Sequence, residues 1–308
     1  MINPAIYSLG DYVVFILTSF AYGSLLFLMA SGFSLIFGLM KITNLTHVMF
    51  YMMGAYLGLR LMQGLWVGSL FQLPAMPFVL AMIIAAIIVT IIGLIVFWGF
   101  LFRLQHRPQA QVLLCLGFMF FFDDAMFMIF GGHPMSIPVP AMFRGGIFFL
   151  ERAFPYYRLF LIAVGIVVAV LLWVLIEKTK IGCLVRSGVD DEETARAMGV
   201  NVNQLFFIVF GLGTFLAAVG GFLGSPWLGM EPRMGFTLLP FVLAVVIIGG
   251  LGSLKGAFFG SMVVGLLNTI GSAFFPDFAY VVLFLPMALV LVFKPNGLFV
   301  SGGTVEGV

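Results

Sequence analysis

Charge is what this sequence most lacks. Only 8% of its 308 residues are charged, against 63% hydrophobic, and the mean hydropathy is +1.21. A soluble domain carries about a quarter charged residues. Too little polar surface is left here to cover a water-exposed globule, so lipid must be the solvent for most of the chain. At roughly 20 residues per membrane helix, about eight or nine spans use up the length and leave no room for a soluble domain. The net charge is only +2 and no basic cluster stands out, so nucleic acid is not expected as a partner. Cysteine is scarce as well. Cys115 and Cys183 fall on hydrophobic or cytoplasm-facing stretches, which excludes a disulfide framework. The start of the chain has no positively charged region and its first apolar run is too long for a cleaved signal, so it reads as a retained first helix. No His-Glu-x-x-His, no Gly-x-Ser-x-Gly and no evident nucleophile–base pair is present, so no enzyme, cofactor or metal site is expected.

The few charges punctuate long apolar runs. They predict an all-α, polytopic transmembrane bundle in a single domain over 1–308, with helices near 12–40, 42–59, 78–102, 110–130, 158–176, 204–225, 237–252, 256–274 and 279–294. Between them, 61–77 reads as an interfacial loop and 131–157 as a loop rich in Gly and Pro. The runs 42–59 and 237–252 are short and Gly-rich, as broken or re-entrant segments are. A loose similarity between Gly38–Tyr56 and Gly252–Gly260 hints at internal duplication, although Gly-rich membrane helices also look alike for packing reasons alone. Arg103, Arg107, Lys178, Lys180, Arg186, Arg196 and Lys294 fall on one side if the spans alternate. That side is then the cytoplasm, with the N-terminus outside and the C-terminus inside.

The longest polar stretch is 177–203. Its Asp190, Asp191, Glu192 and Glu193 suit the start of a helix, and Gly199 suits its end, predicting a short exposed cytoplasmic helix at 190–199. Read without further context, it could equally be a solvated linker. Glu193-Thr194-Ala195, with Arg196 and then Gly199, resembles the EAA loop of ABC importer permeases, with Thr for the middle Ala. The wider chain resembles the branched-chain amino acid permeases of the LivH type. The matching pieces are Ile36–Leu39 leading to Asn44, His47 and Gly54–Tyr56; Gly182–Arg186; Gly188–Glu192; Ala195–Gly199; Ile248–Ala257; and Pro295–Phe299.

That resemblance implies a permease subunit in a bacterial-type inner membrane, carrying branched-chain amino acids or a related small polar solute. Its implied partners are a second, related permease, two ATP-binding cassette subunits and an extracytoplasmic binding protein, with the 177–203 loop docking on the ATPases. ATP would then be used by the partners. In agreement, the nearest approach to a phosphate-binding loop, Gly249 to Lys255, lacks the Gly before Lys and the hydroxyl after it.

Two places depart from the family pattern. Val48 stands where a Gly follows the His, and Asp123-Asp124 stand where the family has Gln-Asn. Intramembrane carboxylates are costly, so Asp123 and Asp124 either line the translocation path or sit in the outer half of the span, pairing with an Arg from a neighbour or with outside water. Adjacent helical residues point about 100° apart, so both face a cavity only at its rim. Asn44 and His47 either line the path or cap backbone at a helix start. His106 and His133 are loop residues with no role assigned. An ion- or proton-coupled secondary transporter or channel is the alternative, and Asp123-Asp124 are what leaves room for it.

Overall fold

The computed structural model describes residues 8–42, 44–67, 71–104, 107–149, 152–190 and 192–299. Asp191 and His106 lie outside the described residues, as do the side chains of Asp190, Glu192 and Glu193. Lipid offers no hydrogen bonds, so uncharged runs close their backbone bonds within helices. Helix α1, Leu9–Met40, has 32 residues. At 1.5 Å per residue it is about 48 Å long, well beyond a hydrocarbon layer of about 30 Å. The Ser8 N–H donates to Asp11 Oδ2 at 2.9 Å at its start. Asp11 in turn pairs with Arg152 at 2.8 Å, tying this end of α1 to a β-hairpin. Helix α2 is His47–Gln63, and α3 is Phe78–Val96, prolonged through a π turn and a 3-10 turn to Leu104. Then come α4 (Pro108–Phe130), α5 (Tyr156–Lys178), α6 (Lys180–Asp190) and α7 (Glu192–Ala197). The last four are α8 (Val202–Leu228), α9 (Met234–Gly249), α10 (Leu254–Phe274) and α11 (Ala279–Phe293).

The bundle is helical and polytopic, as expected. Among the described residues seven helical segments are long and apolar enough to cross a membrane: α1, α3, α4, α5, α8, α10 and α11, with α3 and α11 counted together with their adjoining turns as Phe78–Leu104 and Pro276–Phe293. The count of eight or nine is reached only with α2 and α9. These have 17 and 16 residues, about 26 and 24 Å, and fall short of a full crossing. Three details differ from expectation. Residues 42 and 44–46 are not helical, and α2 begins at His47 and runs on to Gln63. The two loop segments contain antiparallel hairpins, β1 (Leu65–Val67) with β2 (Phe71–Leu73) and β3 (Gly146–Phe149) with β4 (Arg152–Pro155). The polar stretch forms two helices rather than one over 190–199, and Asp190 ends α6 instead of opening the second of them.

The structure does not put the two similar stretches at equivalent places in the fold. Gly38 and Gly252 touch one another, so the two similar stretches are neighbours, and one ends α1 while the other links α9 to α10. The repeating unit is instead a long helix, a non-helical connector, a short helix and another long helix: α1–α2–α3 and again α8–α9–α10. Each connector carries a non-glycine residue in the left-handed region, Lys41 (φ 51°) in the first and Arg233 (φ 70°) in the second. The halves interlock. α1 packs along α10 and α8, while α8 packs along α2 and α3. They also run in opposite senses. α1 starts beside the β3–β4 hairpin, whereas α8 starts beside α7, where Arg196 donates to Asn203 at 3.0 Å.

The crossing of α1 and α8 leaves no room for a side chain at two facing glycines. A Cβ on Gly32 would stand 2.6 Å from the Gly213 carbonyl oxygen, and one on Gly213 would stand 2.9 Å from the Gly32 carbonyl. Backbone, not flexible side chain, fills the space, so neither helix can accommodate a methyl without moving. Gly32→Ala or Gly213→Ala should therefore cost about 1–3 kcal/mol and lower the thermal midpoint of detergent-extracted protein. Gly117→Ala, where nothing lies within 4 Å, should leave it unchanged. Equal midpoints for all three would contradict this packing.

Candidate functional site

Three polar features break the apolar bundle, and α4 meets two of them. Its buried stripe is Gln111, Cys115, Met119, Phe122, Asp123 and Met126, spaced as one face of a helix. At the first connector, Thr46 Oγ1 donates to the Cys115 carbonyl at 3.2 Å, and the Cys115 thiol donates to Asn44 Oδ1 at 3.7 Å. His47 opens α2 in a closed pocket, with Phe33 and Phe50 ring centroids at 6.0 and 6.3 Å and the Met29 carbonyl 3.1 Å from Nε2. Met29 lies 11 residues before the end of α1 (40 − 29), so α2 begins deep within the bundle. Asn44 and His47 are thus enclosed by their own subunit rather than open to its surface. Asn44 Nδ2, His47 Nδ1 and Gln111 Nε2 are buried without a hydrogen-bond partner among the described residues.

The second connector meets α4 two turns further along. Asp123 Oδ1 accepts the Arg233 N–H at 2.8 Å, so a carboxylate sits at the start of α9, where the helix dipole favours negative charge. Asp123 is buried and Asp124 is exposed. Both nevertheless line one cavity of about 280 Å³, together with Phe127, Gly132, Pro134, Glu231, Pro232 and Arg233. Met135 and Met230 exchange backbone hydrogen bonds at 2.8 Å beside it and fix the connector to the loop after α4. Asn44 and His47 do not share this cavity. Asn44 sits against Cys115, eight residues and about 12 Å along α4 from Asp123, and His47 opens α2 three residues after Asn44.

The third feature is the polar platform at the other end. α6 lies against the end of α1, with Leu39 beside Gly188. α7 exposes Thr194, Arg196 and Ala197 while Ala195 turns inward. Gly199 takes φ +86°, and the N–H groups of Met198, Gly199 and Val200 donate back to Thr194, Arg196 and Ala195. This is the C-terminal stop expected from the sequence. Glu231, Arg233, Gln111 and Cys115 were not foreseen as site residues. Glu231-Pro232-Arg233 interrupts an apolar run and was the one available signal; only the connector's fold shows that it returns to Asp123.

No solved structure matches the chain. The family model described as "Branched-chain amino acid transport system / permease component" matches residues 15–291. The high-affinity branched-chain amino acid transport system permease protein BraD of Pseudomonas aeruginosa is 26% identical over 308 residues, covering 96% of this chain and 97% of the relative. LivH of Escherichia coli, with the same description, is 23% identical over 297 residues, covering 90% and 91%. The fructose import permease protein FrcC of Rhizobium meliloti is 31% identical over 114 residues, only 35% of this chain and 32% of the relative. With a match across almost its whole length and the helical bundle to go with it, this chain belongs to the family of permease components of branched-chain amino acid transport systems.

Proposed function

We propose that the chain is the permease subunit of an ABC importer for branched-chain amino acids or a related small polar solute. The observation that carries this reading is the platform of α6 and α7, an exposed polar helix pair on a protein that is otherwise apolar. A partner ATPase needs such a handle to push, and Glu193, Thr194, Ala195, Arg196 and Gly199 form it. Arg196 bonds Asn203 at the start of α8, so force on α7 passes directly into the most enclosed of the long helices. The solute path forms between this subunit and a second, related permease, which a binding protein supplies. ATP is consumed by the two cassette subunits.

The charge distribution supports an orientation. Lys41, Arg103, Arg107, Lys178, Lys180, Arg186, Arg196, Lys255 and Lys294 lie at the platform end, against Arg60, Arg144, Arg152, Arg158 and Arg233 at the hairpin end. Positive charge favours the cytoplasm, so the platform faces inward and the N-terminus faces out. A secondary transporter remains the competing reading because Asp123 is buried without a cationic partner among the described residues.

Two outcomes are expected. Gly199→Val strains a backbone at φ +86° without meeting any neighbour within 4 Å. It should leave membrane insertion intact and weaken ATPase co-purification, as should Glu193→Ala; normal pull-down by both variants would sink the docking role. Cys183 is exposed on α6 and Cys115 is buried. A membrane-impermeant maleimide should label Cys183 in inverted vesicles and not in intact cells. The reverse pattern would overturn the orientation.

A further inference from the structure

Buried polar side chains in this bundle are paired except along one seam. The buried serines of α1, Thr214 and Ser225 of α8 and Ser261 of α10 all have hydrogen-bond partners. Four buried side-chain atoms have none among the described residues: Asn44 Nδ2, His47 Nδ1, Gln111 Nε2 and the Tyr56 hydroxyl. All four belong to α2, to the connector that leads into it, or to the buried face of α4. A buried polar atom without a partner is costly, and the cost is recovered when water reaches it. These groups therefore favour an arrangement of α2 and α4 that admits water between them.

The two sides of α2 are held with unequal firmness. Toward α8, backbone fills the space: a Cβ on Gly54 would collide with the Ala218 carbonyl, and one on Gly221 with the Tyr51 carbonyl. Toward α4, the contacts come from side chains. The Thr46 hydroxyl meets the Cys115 carbonyl at 3.2 Å, and the Cys115 thiol meets Asn44 at 3.7 Å. Further along, the ring pairs Phe50–Phe122 and Tyr56–Phe130 lie at 6.2 and 4.9 Å. Among the described residues no ion pair crosses this seam. α4 is also tied unevenly along its length. Its hairpin end carries the Asp123 bond to the Arg233 N–H and is followed by the Met135–Met230 bridge. Gln111 lies 12 residues (123 − 111), or about 18 Å, from Asp123 toward the platform, in the first turn of the helix.

We propose that α4 is a gate. It pivots about the Asp123–Arg233 bond and swings its platform end off α2, opening a water-filled cleft lined by Gln111, Cys115, Asn44 and His47. Opening gives up the Thr46–Cys115 and Cys115–Asn44 bonds and hydrates the three atoms of Asn44, His47 and Gln111 that the closed seam leaves unpaired. Tyr56, packed on the last residue of α4, lies beyond the pivot and outside the cleft. The motion belongs to this chain alone. The importer reading gives it a purpose, release of solute toward the ATPases, but no part of the test depends on that reading.

The test is thiol modification of the full chain in lipid nanodiscs by a sulfonated maleimide, which reaches its targets only through water. Each cysteine is read separately by peptide mass spectrometry, and Cys183, exposed on α6, reports that the reagent is active. The reference is the thiol introduced by Ser31→Cys. Ser31 is as fully buried as Cys115 and lies two residues from Met29, whose carbonyl meets His47. Cys115 should react about tenfold faster than this reference, because only the seam opens locally. Gln111→Leu removes a group that gains water on opening, so it should slow Cys115 about tenfold and leave the reference rate unchanged. Gln111→Met is a second variant of the same kind, and monodisperse elution establishes folding of each. A Cys115 that is unreactive, or no faster than the reference, would overturn the gate. Folded Gln111 variants in which Cys115 reacts at the parental rate would overturn it equally.

Discussion

The rest of the structure depends on one constraint: a helix that stops inside a membrane must find partners for its open backbone, because lipid supplies none. This chain stops helices inside the bundle twice, between α1 and α2 and between α8 and α9. Both breaks are braced from α4. The Cys115 carbonyl and thiol meet the side chains of Thr46 and Asn44 at the first, and at the second the Asp123 carboxylate accepts the open backbone N–H of Arg233. A helix that makes few other contacts is held in place by this work at two depths.

The same constraint explains why function gathers where it does. Backbone that leaves regular structure in a membrane protein lines a cavity or is buried in protein. The first connector is buried and the second borders the cavity. At the opposite end the platform needs no such protection, because water reaches it. α8 spans the distance between the two, bonded to Arg196 near its start and, near its end, through Leu223 to Tyr157 and through Ser225 to the Ile137 N–H.

Helices were readable because charge marks their ends: Asp11, Lys41 and Lys294 bracket runs that the structure fills almost to the residue. The shortness of α2 and α9 was readable for the same reason. The helical start at His47 was not, since residues 42–46 hold no charge, Gly or Pro to mark a break, and it is the αL turn at Lys41 and the Thr46–Cys115 bond that mark where regularity ends. Of the site, Asp123 and Asp124 were legible as costly charges and Gly199 as a stop. The partnership of Asp123 with Arg233 spans 110 residues, and no local pattern encodes it. Nor did the sequence separate Asn44 and His47 from those carboxylates, because their shared neighbour is a helix face rather than a motif.

We propose that this bundle moves solute by force from partner ATPases applied at α7. The direct measurement is valine accumulation in proteoliposomes containing the complete complex, with binding protein outside and ATP or a non-hydrolysable analogue inside. Accumulation should require the cassette subunits and hydrolysable ATP and should be indifferent to imposed ion gradients. Accumulation by the permease without ATPases, driven by a proton or sodium gradient, would contradict it.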